Sequence, residues 1–298
     1  MASLDPFQRD ALVLVYWHRM IATDQIRHLV TSAKPLRTVQ HRLRALRRAG
    51  LIEAVHRYHT PLTWYVTKEG AALVEASGIV DTRPFRVAGP SMVELFGQHA
   101  LDVVETGRAF LDTARRHDHG CGPLAWTPEV AHRYRDQRVH GGANRDVLVA
   151  DAVLHYTLVE PTGRRSQRTF FIELDRATMP VARLAAKLRN YVRYHDYVPQ
   201  YPGATGRPAW QERYPRFPRV LVVLSGAAEH VLEQRLIDLR AHAQADSAMA
   251  LASDRVRMLA TTLDRLRADG PLAPIAVPLL GTDSTPISPF SWPPTGTS

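Results

Sequence analysis

The sequence predicts an α/β protein in two parts: three helices closed by a two-stranded ribbon, then a mixed α/β sheet covered by helices. Three observations carry this. Residues 5–80 show helical apolar spacing bounded by cap and stop residues, followed by two short apolar runs. Residues 93–270 alternate apolar strand runs with helical runs, the order that crossover connections in a sheet require. Between the two lies 77–92, "SGIVDTRPFRVAGPSM", which holds two prolines, two glycines and little periodicity. The expected organisation is an N-terminal domain at 1–80, a linker at 81–92, a second domain at 93–270 and a Pro-rich irregular tail at 271–298.

The first domain is read in order. "DPFQRDALVLVYWHRM" has helical spacing, with Asp5 as N-cap and Pro6 in the first turn. "TDQIRHLV" follows, with Thr23 as its cap. "KPLRTVQHRLRALRRAG" is a third helix, started by Pro35 and stopped by Gly50. "LIEAVHRYH" and "TWYVT" are short strands around the turn "TPL", and "KEGAALVEASG" is a closing helix. Three helices and a ribbon in this order make a winged helix-turn-helix.

The third helix carries two distinct stripes. Leu36, Val39, Leu43 and Leu46 form a core-facing row. Arg37, His41, Arg44 and Arg48 fall within about 40° of one another on a different face, flanked by Gln40. Such a ridge suits the major groove, where arginine reads guanine and glutamine reads adenine. Arg57, Tyr58 and His59 sit at the wing, in reach of backbone phosphates. A solvated basic face and a protein-interaction module are the competing readings of the same residues.

The second domain opens with a long helix, "VELFGQHALDVVETGRAFLDTARRH", with Phe96, Ala100, Val103, Gly107 and Phe110 on its buried side. Strands follow at "LAWTPEVAHRYR", "DVLVADAVLHYTLV" and "TFFIELD", with "GRRSQ" as a turn between the last two. "MPVARLAAKLRNYVRYHDYV" is a helix, "RVLVVLSG" a strand, "AEHVLEQRLIDLRAHA" a helix, "RVRMLATT" a strand and "LDRLRADG" a short helix. No G-x-G-x-x-G or G-x-x-x-x-G-K-[ST] follows a strand, which argues against dinucleotide and P-loop chemistry.

Composition bounds the function. The formal net charge is +9, which points to a polyanionic partner, nucleic acid before membrane. No run approaches the roughly 18 apolar residues of a membrane span. The N-terminal stretch lacks the basic start and cleavage site of a signal peptide. Cys121 is the single cysteine, which excludes an internal disulfide and a cysteine-based zinc cluster. A cytoplasmic setting is expected. Only Lys34, Lys68 and Lys187 are lysines, so a lysine here is not one of many interchangeable solvating charges.

Two acids at the end of the apolar strand "TFFIELD" require an explanation. Alternation places Phe171, Glu173 and Asp175 on one face and Phe170, Ile172 and Leu174 on the other. Neighbouring carboxylates repel and are costly to desolvate. Asp151, inside "VLVADAVLHY", can sit beside Glu173 if the two strands pair. Acids gathered at a strand end can share a divalent cation that cancels their repulsion, so Mg²⁺ (or Mn²⁺) on Asp151, Glu173 and Asp175 is the expected cofactor. Lys187 lies on a helical row with Arg183, Tyr191 and Tyr194, placed to orient water or to stabilise a phosphate.

These residues resemble the PD-(D/E)xK nuclease superfamily. More narrowly, a winged helix followed by "VADAVL…FFIELDRAT…LAAKLRNY" is similar to the replication-relaxation family of plasmid and mobile-element proteins, over most of residues 5–270. The resemblance implies a restriction-endonuclease-like mixed α/β domain with Asp151, Glu173, Asp175 and Lys187 as catalytic positions. Ala150 replaces the proline of "PD". Asp175 stands where the superfamily lysine usually sits, so Lys187 serves from the helix.

The function expected is a metal-dependent endonuclease or nickase, relaxase-like, acting in plasmid or mobile-element replication or conjugation. Its partner would be double-stranded DNA at an origin, with no membrane partner; a homodimer is compatible with this. The alternatives are a non-catalytic regulator on a degenerate nuclease fold and a protein-interaction adaptor. A tyrosine mechanism would use Tyr191, Tyr194 or Tyr197. The only H-x-H, "HDH" at 117–119, is a poor match to the His-hydrophobe-His metal site of common relaxases.

Overall fold

The computed structural model describes residues 1, 4–30, 34–56, 61–83, 88–134, 147–200 and 203–291. The chain divides into two compact units, Met1–Arg108 with Gly122–Thr127, and Ala109–Cys121 with Pro128–Ser298. The division falls inside one long helix, α5 (Pro90–Arg116).

In the first unit, α1 (Pro6–His18) starts at a reciprocal cap. The Gln8 amide donates to Asp5 Oδ1, and the Asp5 amide donates to Gln8 Oε1, both at 3.1 Å. β1 (Ile21–Ala22), α2 (Thr23–Val30), α3 (Leu36–Arg48), β2 (Ile52–Val55), β3 (Thr63–Val66) and α4 (Lys68–Ser77) follow. The three strands form an antiparallel sheet in the order β1-β3-β2. Thr23 is not a cap, as expected, but the first residue of α2. Its hydroxyl accepts the Trp64 indole N–H at 2.8 Å, so it locks the helix to β3.

Val39, Leu43 and Leu46 of α3 are fully buried, as their spacing requires. Leu36 is 45% exposed because it sits at the first helical position, a turn ahead of the packed stripe. Gly50 ends the helix region at φ +72°, a conformation that disfavours other side chains. Of the α5 stripe expected to be buried, Val103, Gly107 and Phe110 are buried, Ala100 is half-buried and Phe96 is 51% exposed; ahead of Leu101 the buried positions are Val93 and Gly97 instead. Gly107 is required sterically: a Cβ there would fall 2.3 Å from the Trp126 ring.

The second unit is built on a six-stranded mixed sheet in the order β4-β5-β6-β7-β8-β9. The strands are β4 (Trp126–Arg133), β5 (Val147–Val159), β6 (Arg165–Asp175), β7 (Arg219–Leu224), β8 (Met258–Thr262) and β9 (Val277–Pro278). β5 and β6 form an antiparallel hairpin, longer than expected, because Arg165–Gln167 join the ladder instead of the turn. β6, β7 and β8 run parallel, joined by α6 (Val181–Asp196) and α7 (Glu229–Ala245). α8 (Ser247–Ala250) and α9 (Leu263–Asp269) complete the unit.

One face of the sheet packs Val153, Phe171, Val220 and Val222 against Leu184 and Leu188 of α6 and Leu232 and Leu236 of α7. On the other face Phe110 meets Phe170 at 5.2 Å between ring centroids. Residues 271–291, expected to be irregular, contribute to both edge and core. β9 pairs antiparallel with β8, and Phe290 inserts its ring 4.7 Å from Tyr156 and 5.2 Å from Phe170. Pairing satisfies backbone groups that the edge of β8 would otherwise leave open.

Candidate functional site

Two strands and one helix build the site. In the β5–β6 register Ala152 faces Ile172 and Val153 faces Phe171. The ladder ends at Ala152 and Ile172, and Asp151 and Glu173 are the next residues at that strand end. Asp151 Oδ2 accepts the Leu174 amide at 2.7 Å. This bond fixes the carboxylate against the neighbouring strand.

α6 supplies the other half. Lys187 and Tyr191 lie one turn apart, so both reach the same strand end. Lys187 Nζ is 3.2 Å from Asp151 Oδ1 and forms an ion pair with Glu173 Oε2. The Tyr191 hydroxyl donates to Glu173 Oε1. Glu173 is 1% exposed, while the Lys187 side chain keeps 31% of its surface open. Each oxygen of Glu173 therefore has a donor, as a buried carboxyl requires.

The electrostatics follow from burial. Desolvation pushes the Glu173 carboxyl up to about 8, and the Asp151 charge adds to this; Lys187 and Tyr191 oppose the rise without cancelling it. Burial pulls the Lys187 pKa down, but the carboxylates of Glu173 and Asp151 outweigh it and raise the pKa above the usual lysine value. Tyr191 is raised well above the usual phenol range, first by burial and then by Glu173.

Asp175 shares the Glu173 face but goes elsewhere. Arg235 of α7 grips it with two nitrogens, and Arg235 Nη2 lies 3.0 Å from Asp175 Oδ1. The same nitrogen donates to the Met179 carbonyl at 2.6 Å. Of the four residues expected to act together, the structure gathers Asp151, Glu173 and Lys187 and ties Asp175 to Arg235. Among the described residues no group of three or more His, Cys, Asp or Glu side chains converges to hold a metal. Asp151 and Glu173 already converge on one cation, the Lys187 ammonium. Two carboxylates are a sufficient protein donor set for Mg²⁺, which retains waters and takes phosphate oxygens. Asp175, the expected third ligand, is held by Arg235 instead.

Tyr191 and Tyr194 are 0% and 2% exposed. They pack around Phe171, with ring centroids at 5.2 and 6.3 Å. Neither presents its hydroxyl to solvent. The roles of Tyr191 toward Glu173 and of Arg235 toward Asp175 were not read from the sequence. The first had a signal, since Tyr191 follows Lys187 by four residues. The second had none, because 60 residues separate Asp175 from Arg235.

In the first unit, Arg37, His41, Arg44 and Arg48 are all exposed along α3, and Gln40 is half-buried beside them. Two other arginines of the helix are engaged: Arg42 pairs with Asp5, and Arg47 Nε lies 2.9 Å from Glu53. Among the described residues, the ridge of Arg37, His41, Arg44 and Arg48 makes no ion pair or side-chain hydrogen bond. Arg57, expected at the wing with Tyr58 and His59, lies outside the described residues.

The replication-relaxation family model matches residues 12–206, and the chain belongs to that family. The match runs from α1 through α6 and includes Asp151, Glu173, Asp175 and Lys187. No curated protein and no solved structure matches the chain. No helix among the described residues is long and apolar enough to cross a membrane.

Proposed function

We propose that this protein binds DNA and acts in the replication or transfer of a plasmid or mobile element, with a PD-(D/E)xK-like nuclease site in its second unit. Family membership supports the setting. The observation that carries the site is the convergence of Asp151, Glu173 and Lys187 from β5, β6 and α6 at one sheet end. The first unit reads as a winged helix-turn-helix, with α3 entering the major groove of a duplex and the β2–β3 ribbon as its wing. The exposed ridge of Arg37, His41, Arg44 and Arg48 supports this, with Gln40 at its flank.

The protein residues divide the work as follows. Asp151 and Glu173 would hold Mg²⁺ or Mn²⁺, which supplies charge neutralisation on a phosphate and acidification of water. The partly exposed Lys187 ammonium adds positive charge beside the phosphate under attack. Asp151 is kept in place by the Leu174 amide. Tyr191 orients Glu173, and its burial speaks for attack by water over attack by tyrosine. Assay of supercoiled DNA with Mg²⁺ or Mn²⁺ tests this reading, since only a working site converts it to nicked or linear forms.

A second reading is a DNA-binding regulator that retains the nuclease fold as a scaffold. It is favoured by one observation: Lys187 neutralises the acid pair internally while Arg235 neutralises Asp175.

A further inference from the structure

The second unit contains a basic pocket of about 730 Å³ at the end of β6 remote from Glu173. The first β6–β7 pair is Phe170 with Arg219, so β7 does not accompany Arg165–Thr169 on that side of β6. These residues line the pocket together with residues 215–217, which lead into β7. Arg168 lies five positions before Glu173, roughly 17 Å along the strand.

Six arginines line this pocket, at 164, 165, 168, 216, 219 and 255, against one acid, Glu160. Arg255 is compensated by Asp196 at 3.0 Å, outside the lining. The buried Nε of Arg168 has no hydrogen-bond partner among the described residues. Burial lowers the pKa of Arg168, and Arg216 and Arg164 lower it further, outweighing the opposing pull of Glu160. Arg219 is pushed down to about 10 by burial and by Arg168 and Arg257. A fold gains nothing by crowding like charges, and an anion in the pocket would relieve that repulsion. Aromatic groups interleave with the arginines. Trp210 stacks on His195 with ring centroids 5.9 Å apart, and Phe217 stands edge-on to Trp210 at 5.7 Å; all three are half-buried and line the pocket.

We propose that this pocket holds a segment of single-stranded DNA, with phosphates on the arginines and a base against Trp210. Guanidinium groups beside aromatic faces are the combination that binds a strand without reading its sequence. The proposal rests on DNA being the partner and adds a strand-binding site separate from α3 and from the Asp151–Glu173–Lys187 cluster.

The test is a titration of fluorescein-labelled dT15 with the full chain, followed by anisotropy over a range of salt. Arg164 and Arg216 are exposed, so Arg164→Gln/Arg216→Gln leaves the core untouched. That variant should weaken dT15 binding about tenfold or more, and flatten the log-affinity against log-salt slope by about 0.7 for each phosphate it no longer neutralises. Trp210→Ala should weaken it roughly fivefold to a hundredfold, while Trp210→Phe keeps most of the affinity. A 15-base-pair duplex should bind these variants like wild type. Absence of dT15 binding by wild type, or equal binding by all variants, overturns the proposal. Loss in the arginine variant with none in Trp210→Ala also overturns it, since that describes a simple phosphate site. Failure of the α3 reading looks different, as duplex binding indifferent to Arg44 and Arg48.

Discussion

Lys187 Nζ lies 3.2 Å from Asp151 Oδ1, which joins the first turns of α6 to a strand 36 residues earlier. The same ammonium pairs with Glu173. It occupies the position where two facing carboxylates need a cation. Removing it should leave an acid pair that only protonation can relieve. Lys187→Met is expected to cost about 3–5 kcal/mol near pH 8.5, the range for an orphaned buried charge. The cost should shrink near pH 5, where Glu173 carries its proton. Urea unfolding at both pH values measures this.

Glu173 itself sets a pH dependence. Its folded pKa, about 8, stands above the ordinary carboxyl value of 4.5, so the folded state holds a proton that the unfolded state has released between those limits. The contribution is fully present below about pH 4.5 and is lost as pH rises through 8. A tenfold difference in proton affinity between the two states corresponds to roughly 1.4 kcal/mol. Wild type should therefore lose stability relative to Glu173→Gln between pH 5 and pH 8.5. The amide imitates the protonated carboxyl and can still accept from Tyr191. Parallel stability curves for the two proteins across that range would contradict the assignment.

Arg235 holds Asp175 in a buried ion pair. Asp175→Asn or Arg235→Met alone should each destabilise the second unit by about 3 kcal/mol, because one buried partner is left unmatched. The double variant Asp175→Asn/Arg235→Met should recover part of that loss. A double-mutant cycle by denaturation reads the coupling. Additive losses would show that the two side chains do not depend on each other.

Much of this was legible because local signals agreed with the global fold. Asp5, Pro6 and Gly50 marked helix ends, and the strand runs of β5 to β8 were apolar enough to leave no competing assignment. The acid pair was legible as a conflict, two charges in a strand that should be buried, and the lysine as the scarce residue of its type in the second domain. Asp175 was not resolved by the same reasoning. Its partner comes from α7, and only the parallel β6–β7 pairing sets which helix covers that strand end. The exposure of Phe96 and the docking of Phe290 likewise depend on packing between distant segments, which periodicity within a segment does not encode.

The ridge on α3 should carry duplex affinity. Arg44→Ala/Arg48→Ala is expected to weaken binding to duplex DNA and to reduce the log-salt slope by about 0.9 for each phosphate the helix ceases to neutralise. Both residues are exposed, so the melting temperature should not change. Unchanged affinity and slope, measured by anisotropy, would remove α3 from the interface.

As proposed, Asp151, Glu173 and Lys187 form a hydrolytic site. The most direct measurement is the conversion of supercoiled DNA carrying the cognate origin, in the presence of Mg²⁺ or Mn²⁺, with the DNA ends examined after denaturation. A hydrolytic site gives nicked or linear product free of protein, at least about 10²-fold less of it from Asp151→Ala and Lys187→Ala, and DNA binding retained in both. Tyr191→Phe, which removes a positioning hydrogen bond to Glu173 and no reacting group, should lower the activity far less than Asp151→Ala. A labelled strand that remains attached to the protein and is lost in one tyrosine variant would contradict the hydrolytic site. Intact specific binding with no cleavage under either metal would contradict it as well, and would leave the regulator reading.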